Sequence, residues 1–349
     1  MSNLMTNVMS NMMSRGRWLL VAVLALIGLL AYGVAFKFVA EPELAGTVVE
    51  KKIVWEGQPR TFTYFLPTKL ASKPALVFVF HGSGGDAAQS RAMYGYAFDT
   101  LAQDQGFIAV YPDGYERHFN GCRKAGPYAA NELNIDDVGF MRFLSQWFTV
   151  EHGVSQAQIF ATGVSNGGQM ALRLALEAPD LVAAVAPVAT SLPTSENMGC
   201  TKSGKAVAVL LMNGTDDPMN PYEGGTVALY GLLGDRGTVL SSVETAAYWA
   251  ELAGYSTPPE TEQLADTNSN DKSHVVVDRW LADGKPPVAH YTIVGGGHNA
   301  PHPDIRLPRV LGGTNNDILA AKEIMDFFRL AVDAQPDRAV MKNTTSLRP

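Results

Sequence analysis

Residues 158–176 read QIFATGVSNGGQMALRLAL, and their order decides the architecture. Gln158–Thr162 is a short apolar run rich in residues that suit a buried strand. From Gly167 to Leu176 the apolar residues recur at helical spacing. Between them stands Gly163-Val164-Ser165-Asn166-Gly167, followed at once by Gly168. A strand that turns this sharply into a helix needs small neighbours, and the turn thrusts a serine hydroxyl out of a strained backbone. Alone the G-x-S-x-G pattern is a weak signal. Its place between a buried strand and an apolar helix makes Ser165 a candidate nucleophile. The plainer reading is a serine that only caps the helix.

Outward from that turn, strands and helices alternate. Val48–Val54 and Arg60–Leu66 flank Glu56-Gly57-Gln58 as a hairpin. Ala75–Phe80 is nearly continuous apolar sequence, as in a sheet covered on both faces, and it runs into His81-Gly82-Ser83-Gly84-Gly85. Ala87–Gln103 reads as helix and Phe107–Tyr111 as strand. Tyr115–Asn131, rich in glycine and in polar and aromatic residues, reads as a surface insertion. Further helices are expected at Ile135–His152, Val243–Leu252 and Ile318–Val332, and strands at Val182–Pro187, Ala206–Met212, His274–Leu281 and Val288–Val294. Strands alternating with helices imply a mostly parallel central sheet with helices on both faces, an α/β class. In such sheets the reacting groups gather at the carboxyl ends of the strands.

A serine hydroxyl needs a base within hydrogen-bond reach. The order nucleophile, acid, histidine directs the search downstream. His298 closes the glycine run 295–297 after a strand and is the preferred base, with His302 in reserve. The acid should follow Ala206–Met212, where Asp216 and Asp217 are nearly tied by spacing. Backbone amides of Ser83 and of Asn166, the residue after the serine, are the expected oxyanion donors. Tyr115, Phe119, Tyr222 and Trp249 are candidate substrate-pocket aromatics, with packing as the alternative. His298 and His302 stand four apart, but Pro301 between them argues against a helical metal site. No G-x-x-x-x-G-K-[ST] phosphate loop occurs. No metal and no cofactor is implied.

Several of these segments occur in the same order in a known family. His81–Gly85, Tyr111–Gly114, Asp136–Phe140, Gly163–Gly168, Asn213–Tyr222, Gly295–His298 and Gly312–Asn316 resemble the polyhydroxybutyrate depolymerase and feruloyl esterase group. These are secreted α/β-hydrolases related to the first carbohydrate-esterase family. The resemblance runs from about residue 47 to 331. It implies the α/β-hydrolase fold, a Ser165–Asp217–His298 triad, and an ester as substrate and partner. It favours Asp217 over Asp216. The chain departs from the family at Asn213, where histidine is usual, and at Asn299-Ala300, where a tryptophan is usual. It departs again at Phe119-Asn120-Gly121-Cys122-Arg123. These departures bear on the acyl pocket and leave the triad intact. Peptide cleavage or acyl transfer by the same triad, or ligand binding without catalysis, are the rival readings.

The 349 residues carry a net charge of −7. That charge, with no basic stripe beyond the N-terminus, gives nucleic acid no footing as a partner. Arg15 and Arg17 precede an uncharged apolar run from Trp18 to Phe36, close to the roughly 20 residues a membrane-crossing helix needs. The expected organisation is a cytoplasmic segment 1–17, a signal anchor or signal peptide 18–36, a tether 37–46, a catalytic domain 47–333 and a flexible tail 334–349. An uncleaved segment 18–36 would make the membrane a partner, and the remainder would be extracellular or periplasmic. Export would allow Cys122 and Cys200 to form one bridge, the alternative being two buried thiols.

Overall fold

The computed structural model describes residues 36–335 and, upstream, residues 23, 27 and 28. The apolar run 18–36 and the tail thus lie almost wholly outside the described residues. Among the described residues no helix is long and apolar enough to cross a membrane.

Ten strands form one sheet. In chain order they are β1 (Thr47–Trp55), β2 (Gln58–Leu66), β3 (Leu76–Phe80), β4 (Ile108–Pro112), β5 (Ile159–Val164), β6 (Ala184–Val188) and β7 (Ala208–Gly214). A two-strand ribbon, β8 (Gly225–Thr226) with β9 (Thr238–Val239), stands apart. The sheet is completed by β10 (Glu260–Gln263), β11 (His274–Trp280) and β12 (Val288–Val294). The spatial order is β1-β2-β4-β3-β5-β6-β7-β12-β11-β10. Pairing is parallel from β4 through β12 and antiparallel at both margins. The hairpin read from Glu56-Gly57-Gln58 is present, with Glu56 and Gly57 both at positive φ. That is the backbone a two-residue hairpin turn demands.

Both faces of the sheet are covered. Along β3, Leu76, Phe78 and Phe80 enter one core, while Val77 and Val79 enter the other. That explains why the strand reads as unbroken apolar sequence. Helices α1 (Ala87–Met93) and α2 (Ala97–Gln105) contribute Ala87 and Phe98 to the second core. After the short α3 (Ala129–Glu132), helices α4 (Asp137–His152), α5 (Asn166–Glu177) and α6 (Ser242–Leu252) bring Phe140, Met170 and Trp249 to the first. Helix α7 (Ala320–Asp333) sets Ile324 and Phe328 in the second.

Three sequence expectations are corrected. The helix expected over Ala87–Gln103 is broken at Tyr94-Gly95-Tyr96, where Gly95 and Tyr96 have positive φ. The stretch read as a surface insertion is built into the core at its centre, with exposed residues on either side. Phe119, Asn120, Gly121, Cys122 and Arg123 are all buried. The expected tether is docked: Lys37 pairs with Arg306, and Glu41 meets Arg91 at 2.5 Å.

From β3 the chain passes to β4 on one side and then to β5 on the other. The carboxyl ends of β3 and β5, followed by His81–Gly85 and Ser165, therefore flank a topological switch point. This is where an open α/β sheet offers a crevice.

Candidate active site

Ser165 sits at φ 59° and ψ −114°, immediately before α5. A non-glycine residue there is strained and persists only where its surroundings enforce it. The surroundings are visible. A Cβ on Gly167 would lie 2.4 Å from the Phe80 carbonyl oxygen, and one on Gly163 would lie 2.7 Å from the same atom. The glycines of the pentapeptide thus let β5 and α5 pass against the end of β3, and the Ser165 amide is anchored on the Val188 carbonyl at 2.9 Å. Its side chain is left facing a narrow pocket that it shares with Ser83, Asn220 and His298.

His298 reaches that pocket from the loop after β12. Its amide donates to the Leu311 carbonyl at 2.6 Å. A Cβ on neighbouring Gly297 would come within 2.2 Å of the same carbonyl oxygen. This close approach locks the two loops together. His298 Nδ1 lies 2.7 Å from Asp217 Oδ2, and both side chains are nearly buried. An ionised carboxylate can only accept, so the proton belongs on Nδ1 and Nε2 keeps its lone pair. The other oxygen of Asp217 accepts from the amides of Met219 and Asn220 at 2.7 and 2.8 Å. Asp216 is exposed and accepts from Thr215. The tie left by spacing is therefore broken by geometry: Asp217 meets the imidazole and Asp216 faces solvent. His302 does not line the pocket; its Nδ1 accepts the Asp304 amide at 3.0 Å.

Ser83 borders the pocket, with its hydroxyl 3.1 Å from Tyr128 Oη. The amides of Gly84 and Gly85 are taken by the carbonyls of Arg117 and Gly82. Asn166 opens α5, where a helix amide has no acceptor within the helix. The loop is held from behind by His81, whose Nδ1 faces Gly82 O at 2.7 Å while its Nε2 accepts the Gly114 amide at 2.9 Å. Burial lowers the pKa of His81, in keeping with a neutral ring that accepts at Nε2.

None of the four aromatic candidates lines this pocket. Phe119 is fully buried, its ring against those of Phe80 and His81. Trp249 is packed in the core beneath α6. Tyr222 pairs with Thr292 at 2.8 Å, and Tyr115 borders a separate groove with Glu116. Large apolar surface drew Phe119 and Trp249 into the core. Arg123, in the 119–123 departure read as bearing on the acyl pocket, does line it, and so do Ala189, Thr190, Met219, Asn220, Val227 and Arg236, which the sequence reading did not single out. Arg123 is delivered by a core-bound loop: Asn166 grips the Phe119 backbone at both its N–H and its carbonyl, at 2.8 and 3.0 Å. Asp137 accepts the Asn120 amide at 2.7 Å while paired with buried Arg60 at 2.6 Å. Cys122 is bonded to Cys200. Asn213 donates to the Thr190 carbonyl at 2.9 Å, tying the end of β7 to the pocket wall. Among the described residues no group of three or more His, Cys, Asp or Glu side chains could hold a metal ion.

The chain is similar to known esterases. The phospholipase/carboxylesterase family matches residues 140–233, a span that includes Ser165 and Asp217. A protein named "Putative esterase NocK" from Nocardia uniformis subsp. tsuyamanensis is 26% identical over 298 residues, covering 82% of this chain and 84% of that one. Feruloyl esterase B of Talaromyces funiculosus is 30% identical over 157 residues, 44% of this chain and 39% of the relative. Acetyl xylan esterase from Aspergillus awamori superposes with a TM-score of 0.50 at 17% identity, covering 84% of this chain and 98% of that structure. The fold is that of the α/β-hydrolases, and the similarity to feruloyl esterases expected from the motifs is borne out by a relative of that name. These findings support a carboxylic ester hydrolase.

Proposed function

We propose that the chain is an exported serine esterase, akin to feruloyl esterases and polyhydroxybutyrate depolymerases, working through Ser165, His298 and Asp217. His298 Nε2 takes the proton of Ser165 Oγ as that oxygen attacks the ester carbonyl. The amides of Ser83 and Asn166 receive the oxyanion. Collapse expels the alcohol, which carries away the proton from His298. Water, deprotonated by the same imidazole, then splits the acyl-enzyme to release the acid and restore Ser165. Asp217 keeps the imidazole in the useful tautomer and stabilises its cation.

The observation that carries this reading is the joint one at the pocket. A serine on a strained positive-φ perch and a histidine backed by a carboxylate at 2.7 Å open on the same small space. A structural cap would need neither the strain nor the buried Asp–His pair. Turnover of 4-nitrophenyl acetate by the protein and by Ser165→Ala tests it. The variant should lose at least about 10⁴-fold in kcat, because the nucleophile and its base act as a unit. Undiminished turnover by a folded Ser165→Ala protein would refute the mechanism.

Export is supported by Arg15 and Arg17 before the apolar run 18–36 and by the Cys122–Cys200 bond, which needs an oxidising compartment. Recovery of the native protein from cytosol with both thiols free would count against it.

A further inference from the structure

The pocket at Ser165 carries more positive charge than a neutral ester calls for. Arg123, only 4% exposed, and half-buried Arg236 both line it. Among the described residues neither has a carboxylate within ion-pair distance. Elsewhere the fold pairs its buried arginines: Arg60 has Asp137 at 2.6 Å and Arg91 has Asp99 at 2.7 Å. A buried guanidinium without an anion is costly, and a second one beside it adds repulsion. Burial pushes Arg123 down to about 10, with Tyr128 opposing the shift and the charge of Arg236 adding to it. Even so, it remains a cation at neutral pH.

Resting on the reading of Ser165 as nucleophile, we propose that Arg123 and Arg236 together bind a carboxylate on the acyl part of the ester. The natural substrate is then an anionic ester, cleaved within a few bonds of a free carboxylate. The guanidinium of Arg236 is held in place for this. Its Nε donates to Tyr128 Oη at 2.6 Å and its Nη1 to the Gly234 carbonyl at 2.8 Å. Tyr128 in turn meets the Ser83 hydroxyl, so the guanidinium is registered against the loop proposed to hold the oxyanion. Arg123 is fixed by its neighbour Cys122 in the disulfide and by backbone pairing with Met198. The departing alcohol must lie on the His298 side to collect its proton. Arg236 is tied through Tyr128 to Ser83, away from the proton donor, and on that ground the charge is assigned to the acyl part.

Two esters of one diacid provide the test: the mono-4-nitrophenyl ester of adipic acid, which is anionic, and its neutral 4-nitrophenyl methyl diester. The protein should favour the anion by about tenfold or more in kcat/KM, and Arg236→Gln should reduce that ratio by about tenfold, as loss of a charge-assisted fork implies. Added salt should narrow the preference in the unmodified protein. Calorimetry of monomethyl adipate on Ser165→Ala supplies a readout free of catalysis. Binding there, abolished by adding Arg236→Gln, is the expected result. Turnover of the neutral diester with no preference for the anion overturns the charge assignment while leaving the esterase reading in place. Failure of monomethyl adipate to bind Ser165→Ala overturns it as well. Binding without Ser165-dependent turnover of either ester would sink the esterase reading and keep the anion site.

Discussion

The two sides of the pocket are held by different means. On the nucleophile side, Ser165 is fixed by backbone against backbone: the end of β3 presses on Gly163 and Gly167, and no side chain fits between. On the opposite side, Arg123, Tyr128 and Arg236 are fixed by side chains and a disulfide, on loops that cross long stretches of sequence. The first kind of support tolerates almost no change. The second can be retuned one residue at a time, as befits the side that meets a variable substrate.

The largest expected effect comes from breaking the backbone side. Gly167→Ala would set a Cβ 2.4 Å from the Phe80 carbonyl oxygen and 2.7 Å from that of His81. Neither backbone atom can swing aside, so the cost should reach about 4 kcal/mol or more, the range reserved for severe core clashes. A thermal melt should show it, together with loss of esterase turnover. If Gly167→Ala melts as the parent does and turns over ester normally, the elbow is not set by close approach.

The side-chain half should respond less. Replacing both Cys122 and Cys200 by alanine opens a bond that spans 78 residues, for an expected loss of about 3 kcal/mol of stability. The effect on chemistry should be selective: turnover of a neutral nitrophenyl ester should suffer less than that of the anionic one, since the bond steadies Arg123 and does not touch Ser165. Equal losses on both esters would mean that the two sides are one rigid unit.

The same contrast explains what could be read in advance. Glycine spacing around Ser165 is written into the chain because a backbone contact admits only one residue type. The unbroken LVFVF of β3 likewise announces a strand covered on both faces. Asp216 and Asp217 could not be separated by spacing, since only the turn after β7 decides which carboxylate points inward. Phe119 and Trp249 misled because an aromatic ring signals burial before it signals binding. The segment around Cys122 looked like surface because it is polar and glycine-rich. Its burial depends on Asn166, Asp137 and Cys200, partners 47, 17 and 78 residues away. Arg236 lay in a polar stretch with no local pattern, and only the β8–β9 ribbon brings it to the pocket.

The smallest effect concerns pH. His290 on β12 is buried against the Ser242 hydroxyl at 2.8 Å, and burial lowers it from 6.5 to about 4. The native state therefore resists protonation while the unfolded chain accepts it. The contribution is fully present above about pH 6.5 and declines as pH falls towards the folded value. At pH 5 the loss attributable to His290 should be about 2 kcal/mol, from roughly 1.5 units at 1.36 kcal/mol each. Denaturant unfolding at pH 7 and pH 5 should show that loss in the parent and a smaller one in His290→Gln. His81 is also held neutral by burial and keeps its share of the slope in that variant. Because His81 joins the Gly82 carbonyl to the Gly114 amide, its protonation would loosen the seam between the two sides directly. The slope that remains in His290→Gln should therefore be that of the other imidazoles held neutral by burial, His81 among them. An undiminished loss of stability at pH 5 in folded His290→Gln would show that His290 does not carry it.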